Sequence, residues 1–436
     1  MHLVVAPNRE EEAATMAGEL LSCIYIGICI AFFIFLISPT SRPGPINMQP
    51  RSIDRAGILI WSSVLKLMKN LGYTLAVTGL VCNRTTDILS LPEIGRFSLD
   101  HGSCKRKMAE VYEELSCGGV FFFELLEQRG EGPGARSSHA ITVVGQKAYS
   151  FGGEFAPRVP VDNHLHVFDL VDLTWSVANA HGQIPPPRVG VSMSSIGETI
   201  YVFGGRDEAH KELNELYSLD TRTNTWALLP PGPAHRSYHS MAADERRVYI
   251  FGGCGDSGRL NDLWAFDVVD KEWVQFPVPG ESVKPRGGPG LASVLGKIWV
   301  VYGFAGMEVD DVHYFDLKEG KWVQVETDGE KPSPRSVFST LGIGKYIFVY
   351  GGEIDPSDLG HMGAGKFAGD VYALDTETLV WKKWDDGLGC KDHPGPRGWC
   401  AFSSGQIDGQ EGLLVYGGNS PSNDRLNDIF FFTPFE

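Results

Sequence analysis

Between Glu353 and Gly363 the chain gathers three carboxylates, Glu353, Asp355 and Asp358, and one imidazole, His361. Carboxylate oxygens and an imidazole nitrogen so close in sequence form a donor set suited to Fe(II), Mn(II) or Zn(II), with positions left open for a substrate. A bound cation would also relieve the repulsion between Glu353 and its acidic neighbours. The simpler reading is an acidic, solvated loop in which His361 caps a turn. A second chemical candidate is Arg206, whose planar fork of donors can grip an oxyanion through two bonds. It directly follows the doublet Gly204-Gly205 and is read as a ligand contact rather than as half of a core ion pair.

The elements that position these residues are repeats. An arginine (Arg136, Arg188, Arg236, Arg286, Arg335, Arg397) is followed by a glycine doublet, sixteen residues later in the first five copies and twenty in the sixth. The doublets are Gly152-Gly153, Gly204-Gly205, Gly252-Gly253, the degenerate Tyr302-Gly303, Gly351-Gly352 and Gly417-Gly418. Trp175, Trp226, Trp273, Trp322 and Trp381 close five copies. Runs such as Tyr201-Val202-Phe203 have the β-branched and aromatic character of buried strands, and the doublet suits a backbone that must turn in a crowded place. This period is the mark of kelch repeats, one four-stranded blade each. It predicts an all-β, six-bladed kelch β-propeller. The sixth copy has no tryptophan, whereas Phe123 lies thirteen residues before Arg136, the gap that separates Trp175 from Arg188. Residues 120–128 are therefore expected to supply the missing outer strand, giving a propeller over residues 119–436.

In such a ring function belongs to loops that meet at one mouth. Two sets of equivalent positions vary from blade to blade. One follows each doublet: Glu154, Arg206, Cys254, Phe304, Glu353 and Asn419. The other lies two residues after each repeat arginine: Ser138, Gly190, Tyr238, Gly288, Val337 and Trp399. Blade five departs most, with thirty residues from doublet to tryptophan against twenty to twenty-three elsewhere. Its extra length is the acidic loop.

The formal charge of −16 in 436 residues argues against a nucleic-acid partner. Cysteines in the repeat region show no paired spacing, which fits a reducing compartment. Residues 1–118 carry no repeat. Within them 20–37 is almost wholly apolar, preceded by Glu10, Glu11, Glu12 and Glu19 and followed by Arg42, Arg51, Arg55, Lys66 and Lys69. This extension thus contains a candidate transmembrane helix, and the charge bias places the propeller in the cytosol. The alternative is an extension without a membrane role and a freely cytoplasmic propeller.

From Gln128 to Phe432 the chain resembles the plant nitrile-specifier, epithiospecifier and thiohydroximate-forming proteins. The stretches that carry the likeness are Gly132-Pro133-Gly134-Ala135-Arg136-Ser137-Ser138-His139, Phe203-Gly204-Gly205-Arg206-Asp207, Gly296-Lys297-Ile298-Trp299-Val300-Val301-Tyr302-Gly303-Phe304 and Ala373-Leu374-Asp375-Thr376-Glu377-Thr378-Leu379-Val380-Trp381. The resemblance implies a Fe(II)-dependent propeller. Its substrates would be the aglucones that myrosinase releases from glucosinolates, diverted to nitriles, epithionitriles or thiocyanates. The family's Glu-x-x-x-Asp-x-x-x-His iron motif maps onto Glu353 and His361, with Ser357 at the middle position, and Asp358 or Asp355 is the substitute ligand nearby. The same mapping implies Arg206 as the substrate-contacting and catalytic arginine, with Tyr238 and Trp399 as substrate-binding aromatics. The competing reading is a non-catalytic kelch module that binds a protein at its mouth, or a relative serving another small ligand.

Overall fold

In the computed structural model, residues 122–385, 393–407 and 409–434 are described. They form six sheets of four or five strands, with two additional short hairpins. Each blade begins just after its repeat arginine with the strand nearest the axis, as in Ser137–Val144, Ser192–Ile196 and Ser339–Ile343. The doublet ends the second strand, not the innermost one: Lys147–Glu154 pairs with Ser137–Val144 on one side and His166–Asp169 on the other. Innermost strands touch in ring order, and Ala401–Ile407 meets Ser137–Val144 where the circle closes. The core is the series of interfaces between successive blades.

The sixth blade is built from both ends of the repeat region. Phe122–Leu125 pairs antiparallel with Arg425–Thr433, with Phe123 opposite Phe432. Every closing tryptophan stacks against an aromatic of the preceding blade: Trp175 on Tyr416, Trp226 on Phe151, Trp273 on Phe203, Trp322 on Phe251 and Trp381 on Tyr302. Phe123, which is buried, does the same on Tyr350 at 5.0 Å. Burying one large ring between adjacent blades is the contact each repeat needs and cannot make alone.

The repeat arginines are buried. Each Nη1 donates to the carbonyl of the first doublet residue, at 3.0 Å for Arg188 to Gly204 and for Arg335 to Gly351. An acid pairs with each guanidinium, Asp162, Glu215, Asp262, Asp311, Asp370 and Asp428 in turn, at 2.5–2.9 Å in five blades and at 3.6 Å for Glu215. The second doublet amide then donates to the next blade's arginine carbonyl, from Gly153 to Arg188 round to Gly418 to Arg136. The glycines are needed for this approach, since a Cβ on Gly204 would stand 2.6 Å from the Arg236 carbonyl oxygen.

Among the described residues no helix is long and apolar enough to cross a membrane. The candidate segment 20–37 and the whole extension 1–118 lie outside the described residues. Phe123→Ala should lower unfolding free energy by about 3–5 kcal/mol, as for other buried aromatics. By comparison Phe155→Ala, at a ring 63% exposed, should stay within about 0.5 kcal/mol. Equal denaturant midpoints for the two variants would show that Phe123 does not close the ring.

Candidate functional site at the propeller mouth

The two variable sets of positions lie side by side. The residue after each doublet forms a bridge with the residue after the arginine, as Arg206 does with Val189, Cys254 with Ser237 and Glu353 with Ser336. The neighbouring set, Ser138, Gly190, Tyr238, Gly288, Val337 and Trp399, is joined into a closed circle by backbone bonds. Gly190 N–H donates to Ser138 C=O, Tyr238 to Gly190, Gly288 to Tyr238, Val337 to Gly288, Trp399 to Val337 and Ser138 to Trp399, at 2.8–3.0 Å. All six residues have φ between 49° and 62°. This left-handed conformation is uncommon for residues other than glycine, and for β-branched Val337 it is a marked outlier.

Arg206 is placed at the mouth, and it is an ion pair. Its Nε donates to Glu212 Oε1 at 3.0 Å and its Nη2 donates to the same oxygen. Both side chains are largely buried, at 18% and 7% exposure. The expectation that Arg206 is a ligand contact and not half of a core ion pair is revised in its second part: Glu212, six residues on, folds back across the short turn and takes one edge of the fork. The guanidinium also lies 5.9 Å from the Tyr238 ring centre. Tyr238 is buried, and its ring occupies room left by Gly190, where a Cβ would come within 3.0 Å. Burial, then the nearby Glu154 charge, raises the Tyr238 phenol well above its ordinary pKa. Burial likewise pushes up the Cys254 thiol. Neither group is set up as an anionic nucleophile, so the charge chemistry of the mouth rests on its arginines and carboxylates.

Glu154 and Asn419 meet across the ring closure through Arg425. The Arg425 guanidinium lies 3.7 Å from Glu154 Oε1 and donates to Asn419 Oδ1 at 3.1 Å. Ser138 Oγ also donates to Glu154 Oε1, at 3.2 Å. Burial lifts the Glu154 carboxyl above its usual range, opposed by the Arg158 amide, Arg425 and Ser138.

The acidic loop of blade five forms a hairpin of Glu353–Asp355 with Lys366–Phe367, and the segment joining the two strands contains a single turn at Gly360–Met362. It is braced by blade six. Phe367 meets Trp399 edge-on at 5.5 Å, and Asn423 Nδ2 donates to the Met362 carbonyl at 3.3 Å. Glu353 is 7% exposed. Asp355 is exposed and paired with Lys366 Nζ at 2.9 Å. Asp358 is exposed, and Ser357 Oγ accepts the Leu359 amide at 3.2 Å. Glu353, Asp355 and Asp358 do not bring their oxygens within 4.8 Å of one another, and the side chain of His361 lies outside the described residues. What the sequence pattern missed is Glu308 of blade four. It accepts from Ser336 Oγ at 3.3 Å, and Ser336 is bridged to Glu353. Burial first, and the Glu308 charge second, raise the Glu353 carboxyl to about 7. A buried carboxylate beside a second one is a place where a dication would be stabilised.

A carboxyl raised in the folded state binds its proton more tightly there than when unfolded. Its contribution is therefore full below the unfolded pKa and is lost as pH rises through the folded one. The step from the ordinary 4.5 to about 7 corresponds to about 3 kcal/mol. In chelator, wild-type stability minus that of Glu353→Gln should fall by about this much between pH 4.5 and 7.5. Parallel pH profiles from denaturant titrations would refute the assignment.

Comparison with known proteins places the geometry in a family. Residues 138–352 match the model described as the KLHDC2/KLHL20/DRC7 Kelch-repeats domain. The chain is 41% identical over 335 residues to the N-(sulfonatooxy)prop-2-enimidothioate sulfolyase of Thlaspi arvense, covering 70% of this chain and 95% of that protein. It is also 31% identical over 195 residues to human Kelch domain-containing protein 3, covering 40% of this chain and 50% of that one. Acyl-CoA-binding domain-containing protein 4 of Arabidopsis thaliana is 31% identical over 172 residues, 38% of this chain and 25% of its own length. The human and Arabidopsis matches thus cover a segment of the propeller, whereas the match to the sulfolyase takes in nearly all of that protein. The chain belongs to the plant kelch-repeat family of nitrile-specifier, epithiospecifier and thiohydroximate-forming proteins.

Proposed function

We propose that this protein diverts glucosinolate aglucones, released by myrosinase, to nitriles or related products. The observation that carries this reading is the match over 95% of a sulfolyase named for an N-sulfonatooxy imidothioate substrate, together with the partly exposed Arg206 at the mouth. An aglucone presents a sulfate ester on nitrogen. Arg206 would bind its oxygens through the Nη1 edge, which Glu212 does not engage, and stabilise the charge that grows as sulfate leaves. Glu212 holds the fork in one orientation. Tyr238 and Trp399 form walls for the side chain and limit water.

Glu353, Asp358 and His361 would hold Fe(II), with Ser357 at the middle position of the family motif. A dication would offset the repulsion between the buried Glu353 and its neighbour Glu308 and take the place of the proton that burial favours. When bound, the metal supplies a Lewis acid that engages the substrate's sulfur or nitrogen. A protein-binding kelch module is the reading that remains if no metal and no product change are found.

The direct test uses anaerobically purified full-length protein with myrosinase and a glucosinolate. Nitrile-type products with about one bound iron per chain are expected, following the family chemistry. Arg206→Ala alone should cost about 3 kcal/mol, because Glu212 is left buried without its partner. Arg206→Gln with Glu212→Gln should melt like wild type yet yield isothiocyanate alone. Iron-free protein that forms only isothiocyanate would overturn the function. A double variant with full activity would remove Arg206 from it.

We further propose that 20–37 anchors the chain with the propeller on the cytosolic side, as its flanking charges favour. Membranes carrying full-length protein should retain it through alkaline carbonate, and added protease should digest the propeller from the cytosolic face. Release of the protein by carbonate would exclude the anchor.

A further inference from the structure

Blade one breaks the repeat at a second place. In the other blades the acid facing the repeat arginine is Glu215, Asp262, Asp311, Asp370 or Asp428, each directly before a buried aliphatic residue of the third strand. Blade one has His164 in that slot, and Asp162, two residues upstream, reaches the arginine instead. Asp262, Asp311 and Asp428 each use both oxygens on their arginine. Asp162 gives Arg136 only Oδ2, at 2.9 Å, while Oδ1 accepts the His164 amide at 3.0 Å.

His166 completes the group. It is 6% exposed, and neither ring nitrogen has a hydrogen-bond partner. Its Nε2 stands 3.7 Å from Asp162 Oδ2. The equivalent histidine of blade four, His313, is within hydrogen-bond distance of Asp311 at 2.8 Å. A buried imidazole with both nitrogens unpaired is costly, and its blade-four counterpart shows that the same backbone position permits pairing. One ligand atom from each of Asp162, His164 and His166 lies within 4.8 Å of the others, the one such His, Cys, Asp or Glu group among the described residues. His164 is exposed and can turn toward the other two.

We propose that Asp162, His164 and His166 bind a divalent transition metal of the Zn(II) class, at a site distinct from the blade-five loop. Two imidazoles and a carboxylate are a familiar set for such ions, with a fourth position left to water. Arg136 acts as the outer-shell donor that fixes the carboxylate, and its charge keeps affinity moderate. The metal clamps the end of the loop that runs from Glu154 to the third strand of blade one. That loop is otherwise tied by the Glu154 to Pro160 bridge and by the Val161 amide donating to Gly153.

The test uses the full chain carrying Glu353→Gln and His361→Ala, so that metal in blade five does not enter the count. Titration with Zn(II), and with Co(II) read by visible absorption, should show one site whose occupancy raises the melting temperature. Adding the exposed substitution His164→Ala should weaken binding at least about tenfold and abolish the metal-induced rise, without changing the metal-free melting point. If the parent binds no metal, or His164→Ala binds as tightly as the parent, the site does not exist. If the blade-five changes unfold the chain, wild type and His164→Ala are compared directly: a difference of one Zn(II) supports the site, and no difference overturns it. Neither result bears on specifier activity, which rests on Arg206 and the blade-five loop.

Discussion

The closed circle of backbone hydrogen bonds from Ser138 through Gly190, Tyr238, Gly288, Val337 and Trp399 is the constraint on which the rest depends. It links every blade to the next with main-chain atoms alone, and the doublet amides make a second such circle. Because no side chain takes part, the residue at each link is free to change. Ser, Gly, Tyr, Val and Trp all occupy the first circle, at the cost of a left-handed backbone, on the order of 1–3 kcal/mol for the least suited. A scaffold held by backbone at its mouth can vary its mouth side chains without losing closure.

Two kinds of arginine illustrate the division. The repeat arginines are sealed between a carbonyl and an acid, and no ligand reaches them. Arg206 uses a comparable acid contact but sits on the mouth set and keeps partial exposure. Pairing with Glu212 and contact with Tyr238 reduce its freedom and leave one edge of the fork in a fixed orientation. The same logic applies to the blade-five loop, whose hairpin leans on Trp399 and Asn423 of blade six. An aromatic assigned to substrate binding is therefore also a brace for the proposed metal loop.

The acids of the mouth come from different blades. Glu154 meets Arg425 across the closure, and Glu308 approaches Glu353 through Ser336. Glu308 and Glu353 carry charge of one sign in a partly dry place, so the protonation of Glu353 is coupled to the geometry of the neighbouring blade.

The amino-acid order determined the repeat, and with it the six blades, the strand-forming runs and the equivalence of mouth positions, because each depends on local period and residue type. It also marked Arg206, Tyr238, Trp399 and the Glu353 loop as departures worth a chemical reading. Tertiary structure alone decided who faces whom. Glu212 closing on Arg206, Arg425 standing between Glu154 and Asn419, Glu308 nearing Glu353 and the meeting of Asp162, His164 and His166 leave no periodic trace. A period tells which positions are equivalent around a ring. Contacts between loops depend on how each one turns, and in a closed propeller residues hundreds of positions apart become neighbours.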